Sequence, residues 1–223
     1  MILLIKSHLS QKIYIEPYYI FKSEKRDIYE QINTFGSYIK YNNDDFVVRG
    51  QLASQFREKQ SDSANAFGGY AFVDKPKILL NDKITFGYIY LSGNKQDTAG
   101  NEGWNNLFGR GMFICSDLLG TLYINEAGDF GYWTNLQMYS LEYKIELSKK
   151  FSMSASYNLL YANENVTGSI FGTGKNRGNL SLAGLFYQIN KNIRALIYGE
   201  YFAAGDFYDT AKLDRATFVK TEI

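Results

Sequence analysis

Apolar and polar residues alternate one for one over residues 139–148. Tyr139, Leu141, Tyr143, Ile145 and Leu147 hold one parity, and Ser140, Glu142, Lys144, Glu146 and Ser148 hold the other. A period of two belongs to an extended strand, not to a helix of period 3.6. After Ser148-Lys149-Lys150 the pattern resumes, with Phe151, Met153, Ala155, Tyr157, Leu159 and Tyr161 facing one way and Ser152, Ser154, Ser156 and Asn158 the other. Both arms are longer than ordinary soluble strands. A hairpin with about ten residues per arm, greasy on one face and polar on the other, is the repeating unit of a transmembrane β-barrel.

The rest of the chain repeats it. About eleven strands are expected, joined alternately by tight turns and longer loops. The tight turns fall at Ser10-Gln11, Asn42-Asn43-Asp44-Asp45, Asn81-Asp82, Ser148-Lys149-Lys150 and Asn190-Lys191-Asn192, all turn-forming residues. Polar stretches at 23–31, 59–66, 94–133, 163–177 and 206–214 read as the long loops. Residues 12–22 send Ile13, Ile15, Pro17, Tyr19 and Phe21 outward and Tyr14, Glu16, Tyr18 and Lys22 inward. Residues 46–56 set Phe46, Val48, Gly50, Leu52 and Phe56 against Arg49, Gln51, Gln55 and Arg57. From Ile193 onward, Ala195, Ile197 and Tyr201 oppose Arg194, Tyr198 and Glu200. Three segments fit less well. Leu180 and Leu182 share one parity while Leu185, Tyr187 and Ile189 share the other, which suggests a bulge at Gly184. Residues 67–73 show almost no alternation, and 84–91 are apolar on both faces.

Composition agrees with a wall exposed to lipid. Aromatic residues make up 17% of the chain and Pro only 2 positions, which suits long strands with amphipathic rings at the oil-water boundary. No run approaches the roughly 18 apolar residues of a membrane helix. The net charge of +1 gives no sign of nucleic-acid binding. One cysteine, Cys115, excludes an internal disulfide, and one histidine, His8, leaves no Ser-His pairing and no His-based metal site in prospect. Residues 1–6 are apolar but short and do not read as a signal peptide. The chain is therefore expected to begin inside a longer protein, with residues 1–9 part of a wall strand and residues 1–223 one barrel domain.

Several segments, in order, resemble the alginate-export family of outer-membrane barrels. They are the hairpin Thr34-Phe35-Gly36-Ser37-Tyr38, Asn42 to Asp45 and Ala53-Ser54-Gln55-Phe56; the strand Phe86-Gly87-Tyr88-Ile89-Tyr90-Leu91-Ser92-Gly93-Asn94, followed by Leu107-Phe108; and the late pair Tyr187-Gln188-Ile189-Asn190-Lys191-Asn192-Ile193 and Tyr201-Phe202-Ala203-Ala204-Gly205-Asp206-Phe207. Asn94 stands where the family usually has Asp, and the chain ends in Ile223 rather than an aromatic residue. The resemblance implies an all-β, antiparallel transmembrane barrel of about 18 strands, of which this chain would be the C-terminal part. It also implies a bacterial, Gram-negative outer membrane, lipid and lipopolysaccharide as surroundings, and the barrel-assembly machinery as a folding partner.

Candidate chemistry follows from the inward faces. Lys12, Lys22, Lys40, Arg49, Arg57, Lys144 and Arg194 form a basic lining that would favour anions, unless Glu16, Glu142, Glu146 and Glu200 pair with them as ordinary wall chemistry. Tyr14, Tyr18 and Tyr198 are candidates for stacking on a sugar, whereas Tyr139, Tyr157, Tyr161 and Tyr201 read as interface anchors. The segment 94–133 is too long for a simple connection. It carries Asp97, Asn101, Glu102, Asp117, Glu126 and Asp129 among Trp104, Phe108, Phe113 and Tyr123, and reads as a lid, a constriction or a surface loop. Its oxygens are spaced poorly for calcium, and Gly172-Thr173-Gly174-Lys175 lacks the context of a phosphate loop. The expectation is a passive channel for an anionic polysaccharide or small anions, without enzymatic activity or cofactor. A structural or adhesive barrel, an outer-membrane hydrolase and a secreted β-sandwich are the alternatives.

Overall fold

The computed structural model describes all residues except 9, 26–28, 60–61, 80, 96–100, 108–115, 128–132 and 210. Along the chain run β1 (Ile2–Leu4), β2 (Ser7–His8), β3 (Ile13–Lys25), β4 (Tyr29–Asn42), β5 (Val47–Lys59), β6 (Asp62–Pro76), β7 (Asp82–Leu91), α1 (Asp117–Ala127), β8 (Leu136–Glu146), β9 (Phe151–Tyr161), β10 (Asn176–Gln188), β11 (Arg194–Ala204) and β12 (Arg215–Glu222). All the strands belong to one antiparallel sheet in which sequence neighbours pair. β1 and β2 are two pieces of a single edge strand, since both pair with β3. Twelve segments thus fill eleven positions among the described residues, in line with the expected count. No pairing joins β1 to β12 among the described residues. With an odd number of positions, these two end strands run in the same direction. No described helix is long and apolar enough to cross a membrane.

One face of the sheet carries α1 and is called inner here. The other bears Phe35 and Ile39 of β4, Leu52 and Phe56 of β5, Phe67 and Val73 of β6, Phe86 of β7, Tyr139 and Leu141 of β8, Met153 and Tyr157 of β9, Leu185 and Tyr187 of β10, and Ile197 and Tyr201 of β11, all exposed. Alternation explains this division, because each ladder runs residue by residue and holds parity across its neighbours. The sheet is curled toward its inner face. A single cavity of 320 Å³ there touches side chains from β5 through β11, among them Arg49, Thr85, Ser140, Ser154, Phe186 and Tyr198. Those seven strands would span about 29 Å if laid flat at roughly 4.8 Å each.

The structure corrects several expectations. Residues 23–31 and 59–66 are not long loops: β3 pairs with β4 out to Lys25 and Tyr29, and β5 with β6 out to Lys59 and Asp62. Polar side chains extend these strands beyond the apolar band, because the ladder is a backbone bond and does not require apolar residues. Only the connections 92–135, 162–175 and 205–214 are long, and they share one end of the sheet, the loop end. The opposite end, the turn end, holds the turns that precede β3, β5, β7, β9 and β11. The turn placed at Asn81-Asp82 lies one step earlier, where the Asp82 carboxylate accepts the amides of Ile78 and Leu79. Lys12 sits in the turn before β3 rather than in a strand.

Gly184 carries no bulge, since its ladders with β9 and β11 run unbroken; the register shifts instead between Asn176 and Gly178. Gly178 has φ +118°, and a Cβ there would strike the Ala203 carbonyl oxygen. Gly178→Ala is expected to destabilise the fold by about 1–3 kcal/mol, read as a lower urea midpoint in the fluorescence of Trp104 and Trp133.

Candidate functional site

The inner face divides across its middle. At the loop end it is apolar: Ile89 and Leu91 of β7, Leu136 and Met138 of β8, Leu160 of β9, Leu180 and Leu182 of β10 and Phe202 of β11 form one buried cluster with Leu119, Leu122 and Tyr123 of α1, Trp133, Phe207 and Tyr208. This explains two of the three segments that fit the alternation poorly. Residues 84–91 lose their alternation because Phe86, Tyr88 and Tyr90 face the outer side while Ile89 and Leu91 on the inner side meet the helix-bearing core. Leu180 and Leu182 point inward to that core while Leu185 and Tyr187 point outward, so the apolar parity changes without any break in register.

Polar anchors hold α1 at both ends. At its N-terminus the Glu200 carboxylate, 2% exposed, accepts the Ser116 hydroxyl at 2.6 Å and the amides of Asp117 and Leu118 at 2.8 and 3.0 Å. An acceptor there satisfies otherwise orphaned helix N–H groups, and its negative charge is attracted to the positive end of the helix dipole. At the other end Arg177 of β10, also 2% exposed, donates to both Glu126 oxygens at 2.7 and 2.8 Å and to the Asn135 carbonyl at 3.2 Å. Its guanidinium lies 4.3 Å from the Phe207 ring centre, and the Tyr208 hydroxyl donates to the same Glu126 at 2.5 Å. Burial pushes the Tyr123 and Tyr208 hydroxyls above the ordinary tyrosine value of 10.0.

Residues 101–107 form a strap across the inner face of β3 to β6. Arg57 donates to the carbonyls of Asn101 and Gly103 and pairs with Glu30 at 3.3 Å. Gln55 exchanges two hydrogen bonds with the backbone of Asn105, and Lys22 donates to the Leu107 carbonyl at 3.0 Å. Trp104 packs over Gly68, where a Cβ would collide with its ring. The long connection is therefore folded onto the inner face as strap and helix. The candidates Asp97, Phe108, Phe113 and Asp129, and Cys115, lie outside the described residues, as does the side chain of His8.

The turn end of the inner face is polar. Ser140, Ser152, Ser154 and Ser156 line it beside Thr85, with Glu142 bound to Lys144 at 3.0 Å. Arg49 pairs with Asp74 at 3.4 Å and lies 4.9 Å from the Phe72 ring centre. Lys40 and Arg194 have no acidic partner among the described residues. Lys40 borders a cavity of 290 Å³ with Lys12, Tyr14 and Tyr38. Arg194 lies over the Phe186 ring at 5.4 Å and borders a second cavity, of 210 Å³, with Lys149 and Lys150. Of the sequence candidates, Arg57 and Lys22 are thus committed to the strap, Arg49 and Lys144 to acids, and Lys40 and Arg194 stand apart at opposite sides of the turn end. The hydroxyl of Tyr14 donates to Glu16, that of Tyr18 accepts from the Gln51 amide, and Tyr198 lines the central cavity.

Sequence reasoning missed Tyr38, Tyr70 and Phe72. Tyr38 shares parity with Lys40 and could have been found by that signal; Tyr70 and Phe72 were hidden by the small residues around them. No protein-family model matches the chain, and a search of curated proteins finds no match.

Glu126→Gln, which leaves Arg177 buried without its charge partner, is expected to cost about 3–5 kcal/mol. Adding Arg177→Met should restore much of the loss, a recovery visible as non-additive urea midpoints. Because both tyrosines ionise more readily when unfolded, their share of stability is intact below pH 10 and declines as pH rises beyond it. A melting series across that range checks the sign.

Proposed function

We propose that this chain is part of the wall of a bacterial outer-membrane β-barrel that lets small anionic solutes diffuse through it. The observation that carries the anion preference is that Lys40 and Arg194, inward-facing strand cations of the turn end without an acidic partner among the described residues, both lie beside open cavities. Fixed positive charge in a narrow, partly desolvated path lowers the barrier for anions and raises it for cations. Ion pairs such as Lys144 with Glu142 cancel at a distance and add little. The exposed apolar side chains of the outer face support the membrane reading, because lipid would solvate them where water cannot.

The resemblance to the alginate-export family suggests an acidic polymer as cargo. The strap and α1 favour smaller solutes, since they narrow the loop end. A closed antiparallel wall built on this sheet needs an odd number of further strands. Lipopolysaccharide and the barrel-assembly machinery are the partners this reading implies, and it involves no enzymatic step and no cofactor.

A structural or adhesive barrel is the second reading, and the apolar core that fills the loop end favours it. Bilayer recordings across a salt gradient separate the two. The channel reading expects a reversal potential of anion sign, and Lys40→Glu with Arg194→Glu should lower the anion-to-cation permeability ratio by about threefold or more. Insertion without conductance supports the structural barrel.

A further inference from the structure

We propose that the cavity between the first turn and the β3–β4 hairpin binds a small planar aromatic carboxylate. Tyr14 and Lys40 are direct cross-strand partners, and Glu16 and Tyr38 are the next inward pair. The rings of Tyr14 and Tyr38 meet edge to face with centroids 6.0 Å apart at 62°. A third ring fits such an arrangement through the same edge-to-face or offset contacts that hold the first two. Lys40 and Lys12 border the space, and neither has an acidic partner among the described residues. Arg49, directly opposite Lys40 on β5, adds a further positive group, though it is already paired with Asp74. Glu16, the acid on the adjacent inward position, is occupied by the Tyr14 hydroxyl. The pocket therefore offers rings and ammonium groups together, with Asn42 and Gln11 as amide donors at its margin.

Lining chemistry decides among anions. The 290 Å³ cavity is large enough for a benzoate-sized acid. A hexuronate would set its hydroxyls against the Tyr14 and Tyr38 rings, and the Tyr14 hydroxyl is already donated to Glu16. A bare acetate would leave the rings uncovered. The inference deepens the anion-channel reading and rests on it for its physiological sense, but occupancy of the pocket can be measured without any transport.

The probe is 4-fluorobenzoate, followed by fluorine NMR against the detergent-solubilised, folded protein. Fluoroacetate serves as an anion without a ring and 4-fluorobenzyl alcohol as a ring without a charge. Saturable binding of fluorobenzoate is expected, displaced by benzoate and not by glucuronate at equal concentration. Lys40→Gln should weaken it about tenfold, as loss of a charge-assisted contact does, while Lys40→Arg retains it and Arg194→Gln leaves it unchanged. Tyr38→Leu should weaken it as well. Strand content by circular dichroism accompanies each variant, and the Lys40→Arg result stands on its own where Lys40→Gln does not fold. Equal binding of fluoroacetate or of the benzyl alcohol, preference for glucuronate, indifference to Lys40→Gln, or loss of binding in folded Lys40→Arg overturns the proposal. Binding without conductance would sink the channel reading alone, and anion conductance without binding would sink this site alone.

Discussion

One guanidinium organises the loop end of this molecule. Arg177 is buried, and a buried cation is tolerated only where partners replace its water. Those partners come from α1 through Glu126, from the approach to β8 through the Asn135 carbonyl, and from the 205–214 connection through Phe207 and Tyr208. Segments far apart in the chain are thereby held around one charge. Glu200 performs the matching task at the other end of α1 with opposite sign, so the helix is fixed in place at both termini. Between these two anchors the apolar face of α1 covers the inner side of β7 to β12.

This arrangement explains what could be read in advance and what could not. Strands such as β8, β9 and β11 were legible because their alternation is local: each residue's side follows from its neighbour's. The outward faces of Tyr139, Tyr157 and Ile197 follow directly. The helix was not legible, because its reasons for forming are distant. Ser116 and Asp117 meet Glu200 across more than eighty intervening positions, and Glu126 meets Arg177 across about fifty. A segment with mixed polar and aromatic residues becomes helical when its termini are satisfied by others. The same docking places apolar Ile89 and Leu91 on the inner side of β7 and so removes the alternation on which strand assignment depended.

The candidate site shows the same split between local and distant causes. Parity alone placed Lys22, Lys40, Arg49, Arg57, Lys144 and Arg194 on one face, and the register of β3 to β11 agrees with it, while Lys12 falls in a turn. Their roles depend on what lies opposite, which parity does not reveal. Arg57 and Lys22 face strap carbonyls, Arg49 faces Asp74, and Lys144 faces Glu142. Each of these cations is held locally, and acidic partners offset the fields of Arg49, Arg57 and Lys144. At the turn end Lys40 and Arg194 differ in lacking such a partner among the described residues. The electrostatic character of the turn end therefore rests on two residues and the turn lysines near them, not on the full basic set.

The direction of the edge strands limits how this sheet can be completed. Every pairing is antiparallel, so with eleven positions β1 and β12 point the same way. If identical copies were inserted in one orientation, each β12 would meet the next β1 as a parallel pair, unlike every other joint in the sheet. Inverting alternate copies would restore antiparallel joints, but it would put the basic turn end of one copy on the side of the next copy's loop end. The two ends of the sheet differ, one filled by α1 and the strap and the other polar and positive, and such an arrangement would lose that difference. If the sheet were closed, antiparallel pairing and a consistent polarity would both hold only with an odd number of strands of another sequence between β12 and β1.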